Sequence, residues 1–271
     1  MQRTVFYVSD GTGITSETIG HSVLTQFGGV DFTTHRIPFV DSESKAEGAA
    51  TRIKSEYARS GMRPIVINTI MDRQLSERLA ASGALMLDVF APFIAPLEAE
   101  LGQKRSPLVG KAHGLTNFAE YESRINATNY ALSHDDGIAI RYDDADVILL
   151  GVSRVGKTPT CLYMALHFGI MAANYPLTPD DLDRQELPEV VRPFRERLFG
   201  LTIDAERLSQ VREQRRPGSG YARIEQCRKE LRQADSLLRN HNIPQLNTTH
   251  VSIEEIGSKI IDQLGIERKM L

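Results

Sequence analysis

A two-part α/β fold is predicted by three features of the chain. Short apolar runs alternate with helix-length segments almost from end to end, the pattern of parallel strands covered by helices. One of those runs, Val147 to Leu150, leads straight into Gly151-Val152-Ser153-Arg154-Val155-Gly156-Lys157-Thr158, which fits the phosphate-loop pattern G-x-x-x-x-G-K-[ST]. The sequence also turns polar and basic between Gly102 and Pro107. The expected organisation is an N-terminal α/β domain over 1–105, a helical connector over 106–145 and a kinase-like phosphate-loop nucleotide-binding domain with a parallel sheet over 146–271.

In chain order, Val5 to Val8 reads as the first strand, and Asp10-Gly11-Thr12-Gly13 as a polar turn. A helix follows over Ile14 to Phe27, its apolar Ile14, Ile19, Val23, Leu24 and Phe27 spaced near the helical period. Strands are expected at Phe32 to Phe39, Ile65 to Asn68 and Ala84 to Val89, with helices at Ser42 to Arg59, Asp72 to Ala81 and Pro92 to Leu101. Thr116 to Ser133 reads as a helix bridging the halves and ending in His134-Asp135-Asp136-Gly137.

After the phosphate loop, Lys157 to Phe168 is helix-compatible, with Leu162, Ala165, Leu166 and Phe168 able to face a core and Pro159 confined to the first turn, where its missing N–H costs little. Further strands are expected at Ile170 to Asn174, Leu198 to Ile203 and Gln245 to Asn247. Helices are expected at Ala205 to Arg215, Tyr221 to Asn240 and Ser252 to Leu264, the last opened by the capping box Ser252 to Glu255. Arg215-Arg216-Pro217-Gly218-Ser219-Gly220 is the most loop-like segment and a candidate lid.

Composition narrows the function classes. A chain of 271 residues can bury a substantial core as one large domain or two modest ones. Its formal net charge of −3 supplies no global basic field for nucleic acid. Cys161 and Cys227 lack metal-binding or C-x-x-C spacing, and with no signal peptide they point to a reducing cytoplasm. No uninterrupted apolar stretch is long enough to span a membrane.

The loop itself suits a polyanion. Gly151 and Gly156 let the backbone curl so that the N–H groups of Gly151 to Lys157 can face phosphate oxygens, and the following helix adds its positive N-terminus. Lys157 would sit against the phosphoryl group in transfer, Thr158 would hold Mg²⁺, and Arg154 could stabilise charge from within the loop. Arg207, Arg212, Arg215 and Arg216 are further candidate phosphate clamps or simply solvated helix residues. Asp204, ending an apolar run, is either a metal-associated carboxylate or an N-cap. His134-Asp135-Asp136-Gly137 offers a proton carrier and two carboxylates, or an ordinary turn. Asp10 to Gly13 could bind an anion or merely join strand to helix, and it lacks the full G-x-G-x-x-G pattern.

Taken together, Val8-Ser9-Asp10-Gly11-Thr12-Gly13-Ile14-Thr15, His134 to Gly137, Gly151 to Thr160, Ala173-Asn174-Tyr175-Pro176, Gly200 to Asp204 and Ser252 to Glu255 resemble the pyruvate, phosphate dikinase/phosphoenolpyruvate synthase regulatory protein family over nearly the whole chain. His134 before the Asp-Asp-Gly, and Gly156 before Lys157, resemble the synthase branch, where the dikinase branch commonly has Tyr and Ser. The resemblance implies a bifunctional enzyme. ADP would donate a phosphoryl group to a threonine of the target synthase in its phosphohistidine form, switching it off. Inorganic phosphate would remove that group and release pyrophosphate.

On that basis Lys157, Arg154 and one of Asp135 and Asp136 carry the chemistry, and the loop residues Gly151, Val152, Ser153, Arg154, Val155, Gly156, Lys157 and Thr158 bind the nucleotide. Thr158 and Asp204 would hold Mg²⁺, while Asp10, Thr12 and Gly13 would form a second phosphate site or face the target. The implied partner is phosphoenolpyruvate synthase as protein substrate, with homodimerisation left open. Competing readings are the dikinase as target, an ATP-dependent small-molecule kinase, and a nucleotide-sensing switch without turnover.

Overall fold

The computed structural model describes residues 2–105, 118–135 and 141–267. The chain divides into two compact units, Met1–Thr116 and Asn117–Leu271. Each contains one four-stranded sheet, and every strand pairing in both sheets is parallel.

The first unit runs β1 (Gln2–Val8), α1 (Ile14–Leu24), β2 (Asp31–Ile37), α2 (Glu43–Ser60), β3 (Ile65–Asn68), α3 (Arg73–Ala80), β4 (Leu85–Asp88) and α4 (Ala91–Leu101), with strand order β2-β1-β3-β4. Alternation along the central strands sends Phe6, Val8 and Val66 to one face, where they meet Ala46, Ala49 and Ile53 of α2 and Leu75 and Leu79 of α3. Val5, Tyr7 and Ile67 take the opposite face.

There α1 departs from the orientation expected from its apolar spacing, and of those positions only Leu24 packs against the sheet. Its buried positions are Ser16 and Gly20, while Ile14, Ile19, Val23 and the following Phe27 are exposed. The reason is close approach: a Cβ on Gly20 would lie 2.4 Å from Tyr7 Cε1 and 2.7 Å from Ile67 Cδ1, so the helix can dock on the sheet only through a residue without a side chain.

The second unit runs α5 (Phe118–Ser133), β5 (Val147–Gly151), α6 (Lys157–Phe168), β6 (Ala172–Pro176), α7 (Pro179–Arg184), β7 (Leu198–Thr202), α8 (Ala205–Arg215), α9 (Ile224–Asn240), β8 (Gln245–Asn247) and α10 (Ile253–Leu264), with strand order β6-β5-β7-β8. Short 3₁₀ turns occupy Arg192–Arg197 and Gly220–Ala222. All five residues of β5 are buried. Val147 and Leu149 pack with Met164 and Ala165 of α6 and Ile260 of α10, whereas Ile148 and Leu150 pack with Leu237 and Leu238 of α9. This core anchors the strand from whose end the glycine-bounded loop springs.

Several expected boundaries move for local reasons. Helix α5, expected within a connector, buries Ala127 and Ala131 in the second unit's core and belongs to that unit. The expected helix from Tyr221 divides into the 3₁₀ turn and α9, and Leu166 of α6 is exposed rather than core-facing. Helix α7 was not foreseen, although Thr178 and Asp181 form a full capping box before it. At α10 only half of the expected box forms: Ser252 Oγ accepts from Glu255 N at 3.2 Å, while the Glu255 carboxylate pairs with Lys259 at 2.6 Å. Among the described residues no helix is long and apolar enough to cross a membrane.

Candidate functional site

The loop between β5 and α6 owes its path to two glycines with different tasks. At Gly151 (φ +156°) the constraint is space, since a Cβ would stand 2.4 Å from the Leu201 carbonyl oxygen of β7. At Gly156 (φ +99°) nothing lies within 4 Å of that position, and the requirement is the left-handed backbone itself. Arg154 adopts φ +79°, an uncommon conformation for a residue with a side chain. Val152 and Val155 bury their side chains in the core and so contribute only backbone to the loop's inner face, while Ser153 and Arg154 are exposed.

Neighbouring elements grip the loop from behind. Thr248 Oγ1 donates to Val155 O at 3.1 Å and to Thr202 O at 3.0 Å. Arg212 of α8, fully buried, donates from Nη2 to Ser153 O at 3.2 Å and to Glu230 of α9 at 2.6 Å, and from Nη1 to Tyr221 O at 3.1 Å. Its guanidinium also lies 4.0 Å from the Tyr221 ring centroid. Arg212 is thus a strut under the loop and not a phosphate clamp. Its place one helical turn after the buried Leu208 is the signal that could have put it on the inner face.

Lys157 is 5 % exposed, and its ammonium donates to Gly151 O at 3.0 Å and Val152 O at 3.1 Å. The next residue reaches across to α5: Thr158 Oγ1 donates to Asp135 Oδ1 at 2.6 Å. Asn174 of β6 joins both, its Nδ2 donating to Asp135 Oδ1 and, at 3.3 Å, to Thr158 Oγ1. The Asn174 Oδ1 is buried without a protein partner. The Thr158 hydroxyl and the Asp135 carboxylate, together at a helix N-terminus, are hard oxygen donors of the kind that suits Mg²⁺. The backbone N of Asn174 donates to His134 O at 3.2 Å, which fixes the end of α5 against the sheet.

The other sequence candidates fall elsewhere. His134 stacks on Tyr130 with ring centroids 3.8 Å apart, and its ring nitrogens face the carbonyls of Tyr130 at 2.9 Å and Arg141 at 2.8 Å. Both ring nitrogens are thus engaged within the fold, and Nδ1 also lies 3.0 Å from Ser133 Oγ. Asp136 and Gly137 lie outside the described residues. Asp204 occupies the N-cap position of α8 but makes no side-chain cap; its carboxylate accepts from Asn247 Nδ2 at 2.8 Å, and its backbone N donates to Thr249 Oγ1 at 2.8 Å. Thr158 therefore finds its carboxylate in Asp135 and not in Asp204. Asp10, in the first unit, accepts from Met71 N at 2.9 Å.

A cleft of about 280 Å³ opens in front of the loop, lined by Ser153, Arg154, Gly156, Lys157, Thr158, Pro159 and Val211. Beneath it Cys161 is fully buried, and burial holds its thiol far above the usual range, so it is inert. A site that presents backbone N–H groups, a lysine and a helix N-terminus on one side and a hydroxyl–carboxylate pair on the other can bind a polyphosphate and bring a base or a metal to its end.

The family model described as kinase/pyrophosphorylase matches residues 5–261. The chain is 58% identical over 268 residues to a "Putative phosphoenolpyruvate synthase regulatory protein" of Xanthomonas euvesicatoria pv. vesicatoria (strain 85-10), covering 99% of this chain and 98% of that one. A protein of the same name from Stenotrophomonas maltophilia (strain K279a) matches with the same identity and coverage.

Proposed function

The chain belongs to the kinase/pyrophosphorylase family, and on that premise we propose that it regulates phosphoenolpyruvate synthase by adding and removing a phosphoryl group on a threonine. The observation that carries this reading is the juxtaposition of Lys157 and Thr158 at the start of α6 with the Asp135 carboxylate, 2.6 Å from the Thr158 hydroxyl.

In the inactivating direction the loop N–H groups and Lys157 hold the diphosphate of ADP. The target threonine oxygen attacks the β-phosphorus, the bridging bond to the α-phosphate breaks and AMP leaves. Lys157, released from the Gly151 and Val152 carbonyls, meets the charge that develops on the departing and transferring oxygens, with Arg154 beside it. Asp135, turned from Thr158, takes the hydroxyl proton or serves as a metal ligand. Mg²⁺ held by Thr158 and Asp135 would supply charge neutralisation there; Asp204 would have to release Asn247 to join them. In the activating direction an oxygen of inorganic phosphate attacks the phosphothreonine phosphorus, the bond from that phosphorus to the threonine oxygen breaks, pyrophosphate leaves, and the threonine oxygen takes up the proton that the attacking phosphate gives up.

The test is incubation of the purified chain with phosphoenolpyruvate synthase in its phosphohistidine form and either ADP or ATP, read by intact mass. We expect one added phosphoryl group on a threonine with ADP only, absent with Lys157→Ala, and removed by phosphate with pyrophosphate release. Modification of pyruvate, phosphate dikinase instead would move the target, and ATP consumption with a free metabolite would replace the reading by a small-molecule kinase.

A further inference from the structure

Beside the phosphate-loop cleft lies a second concavity of about 250 Å³, lined by Ser153, Arg154, Arg215, Arg216 and Tyr221. The two clefts share Ser153 and Arg154. Among the described residues, none of these three arginine side chains makes a hydrogen bond or ion pair, and no carboxylate lines the cleft. Glu213, the acidic residue nearest Arg215 in sequence, is turned away to accept from Gly218 N at 2.7 Å. The acidic groups Glu225 and Glu230 line a different cleft, which shares Tyr221.

The walls of the arginine cleft are held in place by one buried group. Arg212 donates to Ser153 O on one wall and to Tyr221 O on the other, stacks on the Tyr221 ring, and is balanced by Glu230. Buried guanidinium pairing of this sort fixes the spacing between the phosphate loop and the segment that carries Arg215 and Arg216. Three arginines without a carboxylate partner line this concavity, and their guanidiniums suit a tetrahedral dianion, since each fork can donate two parallel hydrogen bonds to phosphate oxygens.

We propose that Arg154, Arg215 and Arg216 form a seat for a second phosphate group, distinct from the one held by the loop: inorganic phosphate or a phosphoryl monoester on a protein. The inference rests on reading the loop as the nucleotide site. It gives the phosphate-dependent direction a place to hold one phosphate while the loop cradles another.

Calorimetric titration tests it. With the loop filled by saturating ADP, inorganic phosphate binds the wild-type chain at one site, and the Arg215→Gln/Arg216→Gln double variant weakens that binding tenfold or more while ADP affinity changes less than twofold. A phosphothreonine peptide, titrated in the same way, identifies the source: whichever probe binds more tightly is the occupant, and binding of either sustains the seat. Absence of binding by both, or an equal loss of ADP and phosphate affinity in the variant, overturns it. If ADP itself fails to bind, the functional reading falls. Phosphate titrated into nucleotide-free wild-type and variant chains then decides the seat alone: a tenfold difference sustains it, and equal binding overturns it.

Discussion

In both units the first strand is central, pairs with the second strand on one side and the third on the other, and hands the chain to a helix through a glycine-containing turn. The two turns nevertheless do opposite things with their polar groups. In the first unit Ser9 Oγ accepts from Gly11 N at 3.1 Å, Asp10 accepts from Met71 N at 2.9 Å, and Ser16 Oγ donates to Gly13 O at 2.9 Å. That turn is tied partly to its own residues and partly to the segment after β3, and its Asp10 carboxylate is engaged by a backbone N–H. In the second unit the supports come from behind, from Arg212 and Thr248, and the front presents Lys157, Thr158 and Arg154. Winding supplies a place for a site, and the residues at the turn decide whether it is used.

The largest expected effect tests the support. Arg212→Ala removes a fully buried guanidinium that ties Ser153 and Tyr221 together and leaves the half-buried Glu230 without its cation, and it should cost about 3 kcal/mol of stability in chemical denaturation. A loss under about 1 kcal/mol, the range of an exposed pair, would mean that the loop does not depend on its strut. Next, Lys157→Ala should lower phosphoryl transfer about 100- to 1000-fold in both directions, as removal of one preorganised donor does. Asp135→Asn should lower transfer about 100-fold in both directions, the lower range for loss of a general base. Full activity in both directions would remove Asp135 from the chemistry.

The first unit's turn should behave otherwise. Asp10→Ala orphans the Met71 N–H and should cost about 1–2 kcal/mol of stability, with ADP affinity unchanged by calorimetry. Loss of ADP affinity in a folded Asp10→Ala chain would break the distinction between the two turns. The smallest signal concerns the cysteines. Cys161 and Cys227 are both buried, and burial raises both thiols, so iodoacetamide at pH 8 should label neither in the native chain and both after denaturation.

The passage from β5 through a glycine-bounded loop into α6 was legible because its signals are local: two glycines, a lysine and a threonine at fixed spacing after an apolar run. The same holds for β3, α6, α8 and β8, whose ends coincide with those read from apolar runs and periodicity. What was illegible is what the fold brings together from afar. Thr158 meets Asp135 and Asn174 across 23 and 16 residues of sequence, and no periodicity reports that pairing. Asp204 shows the same limit: its cap position was readable, but the competing amide of Asn247 comes from β8. In α1 the apolar count misplaced four of its five residues, Leu24 excepted, because proximity of helix and sheet, which favours Gly20 and Ser16, outweighed hydrophobic area. The matching strand orders of the two units also leave no repeat in the sequence, since topology is set by which strands are central and not by which residues fill them.

The posture of Lys157 bears on how ligands for this chain should be sought. Its ammonium is fastened to the carbonyls of Gly151 and Val152, so any molecule that takes the site must offer that cation something better than two backbone oxygens. A diphosphate does; a nucleoside does not. If the loop is the nucleotide site proposed above, small anions should bind it more tightly than uncharged adenosine mimics, and a productive starting fragment is a small anion, to be grown outward only after the lysine has been won.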